Sequence, residues 1–290
     1  AEPENYALTV FTAQERKEWE PVIKEFEERT GWNVRVETGS AKEMLSQLEK
    51  EEADWDVAFG VSADALEEGK EYWQTGKDAW TGYSAVSFVI LYNTNVVTYR
   101  ELPTGWDSLL EPRWKGRVAV PDPLKSDMAA SVLTEAAKNS EKEEFLDLLA
   151  ENMQYQMPET FKEVEQGISD GRYSIGVTSE EAAKAMLAAG QDVDYIDPEE
   201  GECFFEDGTA IRKRTPNLDA SEAFVTYTTC DDTKWLLRTQ LLRQPAEDVA
   251  AENDRSDEDL KQRYSRQQEV LNIWKLIMEE KSGSAHEQEQ

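Results

Sequence analysis

The alternation of strand and helix patterns at the start of the chain limits its fold more than any other feature. Apolar strand patterns cover residues 6–12, 33–39 and 56–60, and amphipathic helix patterns cover residues 15–31 and 41–53. Consecutive strands joined by helical connections of this length lie parallel in one sheet. The first sixty residues therefore predict a parallel α/β sheet.

The rest of the chain resumes this alternation after a β-rich segment at residues 80–97, which is long enough to run from one lobe to another. Strand patterns then cover residues 117–120, 173–177, 193–197 and 208–212, and helix patterns cover residues 127–139, 141–152, 158–169, 180–189, 217–229 and 231–281. Residues 282–290 predict a disordered tail. A chain of 290 residues is too long for one ordinary core, so it fits two lobes or one large α/β unit.

The charge of the chain excludes one class of partner. A total of 61 acidic against 31 basic residues gives a net charge of -30, which would repel the phosphate backbone of a nucleic acid. The same charge is typical of a soluble surface that resists aggregation, and steering of cationic ligands is the other interpretation. The longest apolar run, residues 85–92, is far shorter than the roughly 18 residues of a membrane-spanning helix.

Residues that many enzymes and metal sites need are missing from the predicted cores. The single histidine, His286, lies in the predicted tail, so no histidine-based triad, metal site or general base is expected. The sequence holds no GxGxxG, GxxxxGK[ST], GxSxG or HExxH motif, and it predicts neither a cofactor nor an enzyme. Cys203 and Cys230 are expected either as two free thiols or as one disulfide formed in an oxidising compartment.

Small hydroxyl residues recur where a predicted strand passes into a helix. They are Thr12, Ser40, Ser62, Ser126 and Thr178 with Ser179. Serine and threonine at such positions often do no more than cap the helix. Helix N-termini beyond the carboxyl ends of parallel strands also bind small anionic or polar groups, so a ligand site is the second interpretation.

Six stretches carry a family resemblance, namely residues 8–13 (LTVFTA), 26–66, 80–97, 102–133, 167–186 and 198–228. In this order they resemble the extracellular solute-binding proteins of ABC transporters with the type II periplasmic-binding fold. The resemblance is to the branch that includes ferric-iron, aminoethylphosphonate, hexose-phosphate and thiamine binders. It implies a protein that binds and delivers a solute.

The resemblance also implies an architecture. Two α/β lobes, each a mostly parallel sheet flanked by helices, would be joined by two or more hinge strands, close over one ligand and dock on a membrane permease. The first lobe would hold residues 1–95 with about 208–245, and the second residues 96–207, while the helical region at 246–281 is assigned to neither lobe. The protein would be a monomer outside the cytoplasm, periplasmic or lipid-anchored. A start at Ala1 without methionine fits a chain from which a targeting segment has been removed.

Ligand-binding positions of the family can be carried over residue by residue. They fall on Thr12, Ala13, Ser40, Ser62, Ser126, Asp127, Thr178, Ser179 and Glu180. Trp80 and Tyr83, near the first crossing, either stack on the ligand or belong to the core of the hinge. Glu180 either meets an ammonium group of the ligand or caps its own helix.

The chemistry of these positions indicates a ligand class. The iron-binding relatives carry adjacent tyrosines after the late strand, where this chain has TSEEAAKAM at residues 178–186. Hydroxyl groups and helix N-termini suit phosphate, phosphonate or carboxylate oxygens, whereas Asp127 and Glu180 would repel a simple anion. The expected ligand is therefore a phosphonate, a phosphate ester or an amino-phosphonate-like zwitterion. Ferric iron, or a cation such as thiamine or a polyamine, is the alternative, followed by a ligand-sensing domain and, last, an enzyme.

Overall fold

The computed structural model describes residues 6–74, 79–201, 203–250 and 257–288, and the chain divides into two compact units. In chain order the strands are β1 (Leu8–Thr12), β2 (Val34–Thr38), β3 (Val57–Ser62), β4 (Thr81–Asn93), β5 (Val118–Ala119), β6 (Ile175–Ser179), β7 (Val193–Ile196), β8 (Cys203–Ile211) and β9 (Gln244–Pro245). The α-helices are α1 (Arg16–Thr30), α2 (Ala41–Glu49), α3 (Ala63–Glu68), α4 (Asp127–Asn139), α5 (Phe145–Asn152), α6 (Phe161–Ser169), α7 (Glu180–Ala188), α8 (Leu218–Thr228), α9 (Asp231–Leu236), α10 (Ala246–Ala250) and α11 (Asp257–Gln288).

The chain passes between the units at three places. Unit 1 holds the chain up to Ala85 together with Glu206–Tyr264, and unit 2 holds Val86–Phe205 together with the chain from Ser265. The first two passages fall inside β4 and β8, earlier than the predicted boundaries near residues 95 and 208. The third falls inside α11, so the helical region that the sequence assigned to neither lobe contributes to both units.

The C-terminal helix is longer than the sequence predicts. It extends to Gln288, where a disordered tail was expected from residue 282, and residues 289–290 lie outside the described part of the chain. Its buried residues Val270, Trp274 and Ile277 recur at intervals of three and four and pack into the core of unit 2. This packing explains why the helix continues through unit 2.

Unit 1 is built on a sheet with the strand order β2-β1-β3-β8. β1 runs parallel to both β2 and β3, as predicted, whereas β8 runs antiparallel to β3. Leu8 and Val10 of β1 are fully buried and pack with Phe26 of α1, which ends where Gly31 adopts a left-handed conformation (φ 71°). The parallel arrangement brings the carboxyl ends of β1, β2 and β3 to one edge of the sheet.

Unit 2 has a mixed sheet rather than a mostly parallel one. β6 runs parallel to β5 but antiparallel to β4, and β4 also pairs antiparallel with β7. The core contains the fully buried Trp106, Phe145 and Trp274. Because β5 and β6 are parallel neighbours, the segments that lead from them into α4 and α7 leave the sheet at the same edge.

Within the part of the chain that the structure describes, no helix combines the length and the apolar character that crossing a bilayer requires.

Candidate functional site

Two predicted site residues lie at the carboxyl ends of strands in unit 1. Thr12 is the last residue of β1 and is fully buried, and its Oγ1 accepts a hydrogen bond from the backbone N–H of Gln14 at 3.2 Å. Ser62 is the last residue of β3, two residues beyond the predicted end of that strand, because it still pairs with Asp207 of β8. Its Oγ accepts from the N–H of Ala65 at 3.4 Å, so Ser62 also begins α3.

Ser40 begins α2 as predicted, but its hydroxyl group is occupied within its own helix. Its Oγ accepts from the backbone N–H of Glu43 at 3.2 Å and donates to the Glu43 carboxylate at 3.1 Å. The same carboxylate accepts from the backbone N–H of Ser40, which completes a capping box. Ala13 is half-buried and packs against an apolar cluster of unit 1. Neither side chain offers a donor for a ligand.

The two predicted aromatic candidates have different surroundings. Trp80 is half-buried, and its indole N–H donates to Glu67 of α3 at 3.2 Å. Tyr83 is only 2% exposed, and its ring meets that of Phe59 edge to face at a centroid distance of 4.7 Å. This packing favours the hinge-core interpretation for Tyr83 over stacking on a ligand.

The α4 segment of unit 2 carries Ser126 and Asp127 at the predicted helix start. Ser126 Oγ accepts from the backbone N–H of Ala129 at 3.2 Å, which identifies it as the N-cap. Asp127 is the first helical residue, and its backbone carbonyl accepts from the Gln267 side chain of α11 at 3.1 Å. The buried amide of Gln267 therefore fixes the first turn of α4 from the C-terminal helix.

The α7 segment carries the other three predicted residues of unit 2. β6 extends to Ser179, because Thr178 pairs with Val89 of β4, so the predicted strand end at residue 177 is too early. Thr178 is fully buried and donates to a carboxylate oxygen of Glu165 at 2.6 Å. Ser179 caps α7 by accepting from the N–H of Ala182 at 3.2 Å.

Glu180 forms an ion pair within its own helix. Its carboxylate lies 2.9 Å from Lys184 Nζ, one turn further along α7, and Glu181 lies 3.1 Å from the same ammonium group. Partial burial by itself lowers the pKa of Lys184, but hydrogen bonds to the two glutamates outweigh this and raise it to about 12. Lys184 therefore stays cationic at neutral pH and offsets part of the negative charge at the start of α7.

A buried polar network lies beside the strand ends of unit 1, and the sequence did not predict it. Asp207 of β8 is fully buried and pairs with Arg243, which is 4% exposed, at 2.5 Å. Ser84 of β4 donates to Asp207 from both its hydroxyl (2.7 Å) and its backbone N–H (3.2 Å), and Arg243 donates to the Ser84 hydroxyl at 2.6 Å. Gln14 Nε2 donates at 2.9 Å to Asp207 Oδ2, the oxygen that also accepts from Arg243, and Glu18 lies 3.7 Å from Arg243 Nε.

The network holds fixed charges in a buried environment. Burial alone would lower the pKa of Arg243, but the carboxylates of Asp207 and Glu18 more than compensate and raise it. Burial also raises the pKa of Tyr83 well above its ordinary value, and the negative charge of Asp207 raises it further. Arg243 is therefore always cationic, and Tyr83 stays a neutral phenol.

The cysteines and potential metal ligands are dispersed over the described residues. Cys203 and Cys230 are both free thiols, so the disulfide alternative is wrong. No group of three or more His, Cys, Asp or Glu side chains lies close enough to hold a metal ion within residues 6–74, 79–201, 203–250 and 257–288.

Comparisons with known proteins place this geometry in a family. Residues 59–268 match the family of bacterial extracellular solute-binding proteins. Iron uptake protein A1 of Synechocystis sp. is 22% identical over 284 residues, which cover 87% of this chain and 75% of that protein.

Two solved structures share the fold. A ferric binding protein from Campylobacter jejuni has a TM-score of 0.74 at 17% identity, with 93% of this chain and 99% of that chain covered. The periplasmic binding protein AfuA from Actinobacillus pleuropneumoniae, with exogenous fructose-6-phosphate bound, has a TM-score of 0.75 at 14% identity, with 94% and 98% covered. These likenesses confirm the predicted α/β fold of the type II periplasmic-binding class. The family match extends over more than two thirds of the sequence, and the chain therefore belongs to the bacterial extracellular solute-binding proteins.

Proposed function

We propose that this protein captures a small polar organic solute outside the cytoplasm and delivers it to a membrane ABC permease. Membership of the extracellular solute-binding family supports both the binding role and the location. The relatives are solute-binding proteins rather than enzymes, which supports a role without catalysis. The solute is a phosphonate, a phosphate ester or, best of all, a zwitterion that joins an ammonium group to a phosphonate.

The observation that carries this proposal is that three helices begin with a serine as N-cap, Ser62 in unit 1 and Ser126 and Ser179 in unit 2. Each hydroxyl oxygen accepts a backbone N–H of its own helix. A hydroxyl group that accepts in this way still has its own proton to donate, and none of the three protons is donated to a residue that the structure describes. They are directed donors for anionic oxygens, supported by helix N-termini in the same segments.

The charges near the unit 2 segments favour a zwitterion over a simple anion. Asp127 begins α4, Glu165 accepts from Thr178, and Glu180 is paired with a single lysine that it shares with Glu181. A bare phosphonate beside these carboxylates would be repelled. An ammonium group on the same solute would offset that repulsion.

Ferric iron is the second candidate, because Iron uptake protein A1 and the Campylobacter jejuni ferric binding protein are among the relatives. The chemistry of the candidate residues argues against the binding of ferric iron. Ferric iron favours anionic phenolates, and the one tyrosine among the candidates, Tyr83, is buried with its pKa raised well above the ordinary value.

A thermal-shift screen tests the proposal directly. The panel holds aminoalkyl and alkyl phosphonates, sugar phosphates, thiamine, polyamines and ferric iron. A solute present at about 100 times its dissociation constant adds roughly 2.7 kcal/mol of stability to the protein. We expect phosphonates or phosphate esters to raise the melting temperature. A shift with ferric iron alone would refute the organic ligand, and turnover of the solute would refute the binding role.

Serine variants of unit 2 test the residues. We expect Ser126→Ala and Ser179→Ala each to weaken binding about tenfold, the worth of one hydrogen bond. The matched control is Thr98→Ala, which removes another capping hydroxyl but lies beyond β4, whose carboxyl end is at the opposite edge because β4 runs antiparallel to β6. Equal affinity in all three variants would show that Ser126 and Ser179 are ordinary caps.

A further inference from the structure

The side chain of Gln14 is buried in a defined position at the edge of the unit 1 sheet where β1 and β3 end. It lies two residues after Thr12 in the loop that follows β1, and only 8% of its surface is exposed. It lies against Gly60, where a Cβ atom would come within 2.4 Å of the Gln14 carboxamide carbon. The left-handed conformation of Gly60 (φ 61°) and the irregular pairing of β3 at this residue create the space that the amide fills.

The orientation of the Gln14 amide is fixed by its partner. Asp207 accepts from Gln14 Nε2 at 2.9 Å, and a carboxylate can accept only from the NH₂ side of an amide. Asp207 cannot turn away, because Arg243 and both donors of Ser84 hold its two oxygens. The carbonyl oxygen Oε1 therefore points away from Asp207 in one defined direction.

Oε1 is a buried acceptor that receives no hydrogen bond from any described residue. Leaving such an atom unpaired costs free energy, so native proteins seldom do so without a ligand or a water molecule at the site. The neighbouring Thr12 and Ser62 end strands at the same edge, which is where ligands of open α/β sheets bind.

We propose that Gln14 is a specificity-determining residue whose Oε1 accepts a hydrogen bond from an N–H or O–H group of the bound solute. This proposal rests on the proposed function and narrows its ligand class. The solute must carry an ammonium or hydroxyl donor in addition to its anionic group. An anionic oxygen is rejected at this position, because it would face an amide oxygen with the Asp207 carboxylate behind it.

The test uses two probes that differ in this donor, 2-aminoethylphosphonate and ethylphosphonate, and measures their dissociation constants by calorimetry. Wild-type protein is expected to prefer the amino compound by about tenfold or more. Gln14→Met keeps the length of the side chain and removes the acceptor, so the preference should fall about tenfold from its wild-type value. Gln14→Ala serves as a second variant, and Gln191→Met, at an exposed glutamine, is the matched control.

The variants retain the buried ion pair, because Asp207 keeps its donors from Arg243 and Ser84. A preference that falls in both Gln14 variants and is unchanged in Gln191→Met supports the inference. A preference of wild-type size in the Gln14 variants overturns it, since other residues alone would then recognise the donor. Equal wild-type affinity for both probes overturns it while leaving the proposed function intact. Binding of neither probe refutes the phosphonate class of the proposed function, and the inference falls with it.

Discussion

Replacement of Arg243 by methionine should destabilise unit 1 strongly. Methionine has a similar length but no charge, so Asp207 would stay fully buried with hydrogen bonds from Ser84 and Gln14 and without a cation. Removal of one partner of a buried ion pair costs about 3–5 kcal/mol, because the other charge is left uncompensated. We expect a loss of free energy of unfolding in that range.

The matched control is Arg238→Met. Arg238 pairs with Asp248 at 2.6 Å, much as Arg243 pairs with Asp207, but both side chains are exposed, at 51% and 40%. Exposed pairs contribute about 0–1 kcal/mol, so this variant should unfold almost as wild type does. Urea unfolding followed by circular dichroism measures both variants, and the two units are fitted as separate transitions if the curve requires it.

A third variant separates charge from packing. In Arg243→Met combined with Asp207→Asn both charges of the buried pair are removed, and an apolar or neutral replacement of a buried pair is often tolerated. The double variant should therefore recover about half or more of the lost stability. A loss of under about 1 kcal/mol in Arg243→Met, or no recovery in the double variant, would refute the reasoning that charge compensation holds the network together.

Three further predictions concern other parts of the molecule. Because the pKa of Tyr83 is raised in the folded protein, this phenol ionises above about pH 10 only in the unfolded chain. The free energy of unfolding should therefore decrease above about pH 10, by up to about 1.4 kcal/mol per pH unit. Urea melts of Tyr83→Phe should lack this part of the slope, and equal slopes would contradict the assignment. The net charge of -30 should destabilise the folded protein through charge repulsion, which salt screens. The melting temperature should therefore rise as the Debye length falls from about 30 Å at 0.01 M salt to about 10 Å at 0.1 M, and an unchanged melting temperature would contradict this. Trp274→Ala should cost about 3–5 kcal/mol in unfolding experiments, against about 0.5 kcal/mol for its neighbour Ile273→Ala, because Trp274 is 1% and Ile273 45% exposed.

The elements that the sequence predicted well are those whose signals are local. The predicted helix at residues 127–139 begins and ends where α4 does, because Ser126 is a strong N-cap and the apolar period of the helix is intact. The ends of β3 and β6 were placed too early. Thr178 and Ser62 belong to strands because β4 and β8 pair with them, and those partners are far away in the sequence.

The same limit applies to the chemistry of the candidate site. Six hydroxyl residues look alike in the sequence, since each lies where a strand pattern passes into a helix pattern. In the structure Ser40 donates to Glu43 and Thr178 to Glu165. The hydroxyl oxygens of Thr12, Ser62, Ser126 and Ser179 instead accept a backbone N–H close by in the sequence.

The acceptor at Gln14 depends on contacts that are still more distant. Its amide is oriented by Asp207, 193 positions away, which in turn is held by Arg243. The spacing of apolar residues in the sequence predicts where one strand or helix begins and ends, because it reflects which residues of that element are buried. A solute can bind only to donors and acceptors that have no partner within the protein. Which groups these are depends on carboxylates and amides that only the fold brings together. The class of ligand must therefore be inferred from the buried hydrogen bonds in each unit, because the residue types at the strand ends do not show which groups are still available.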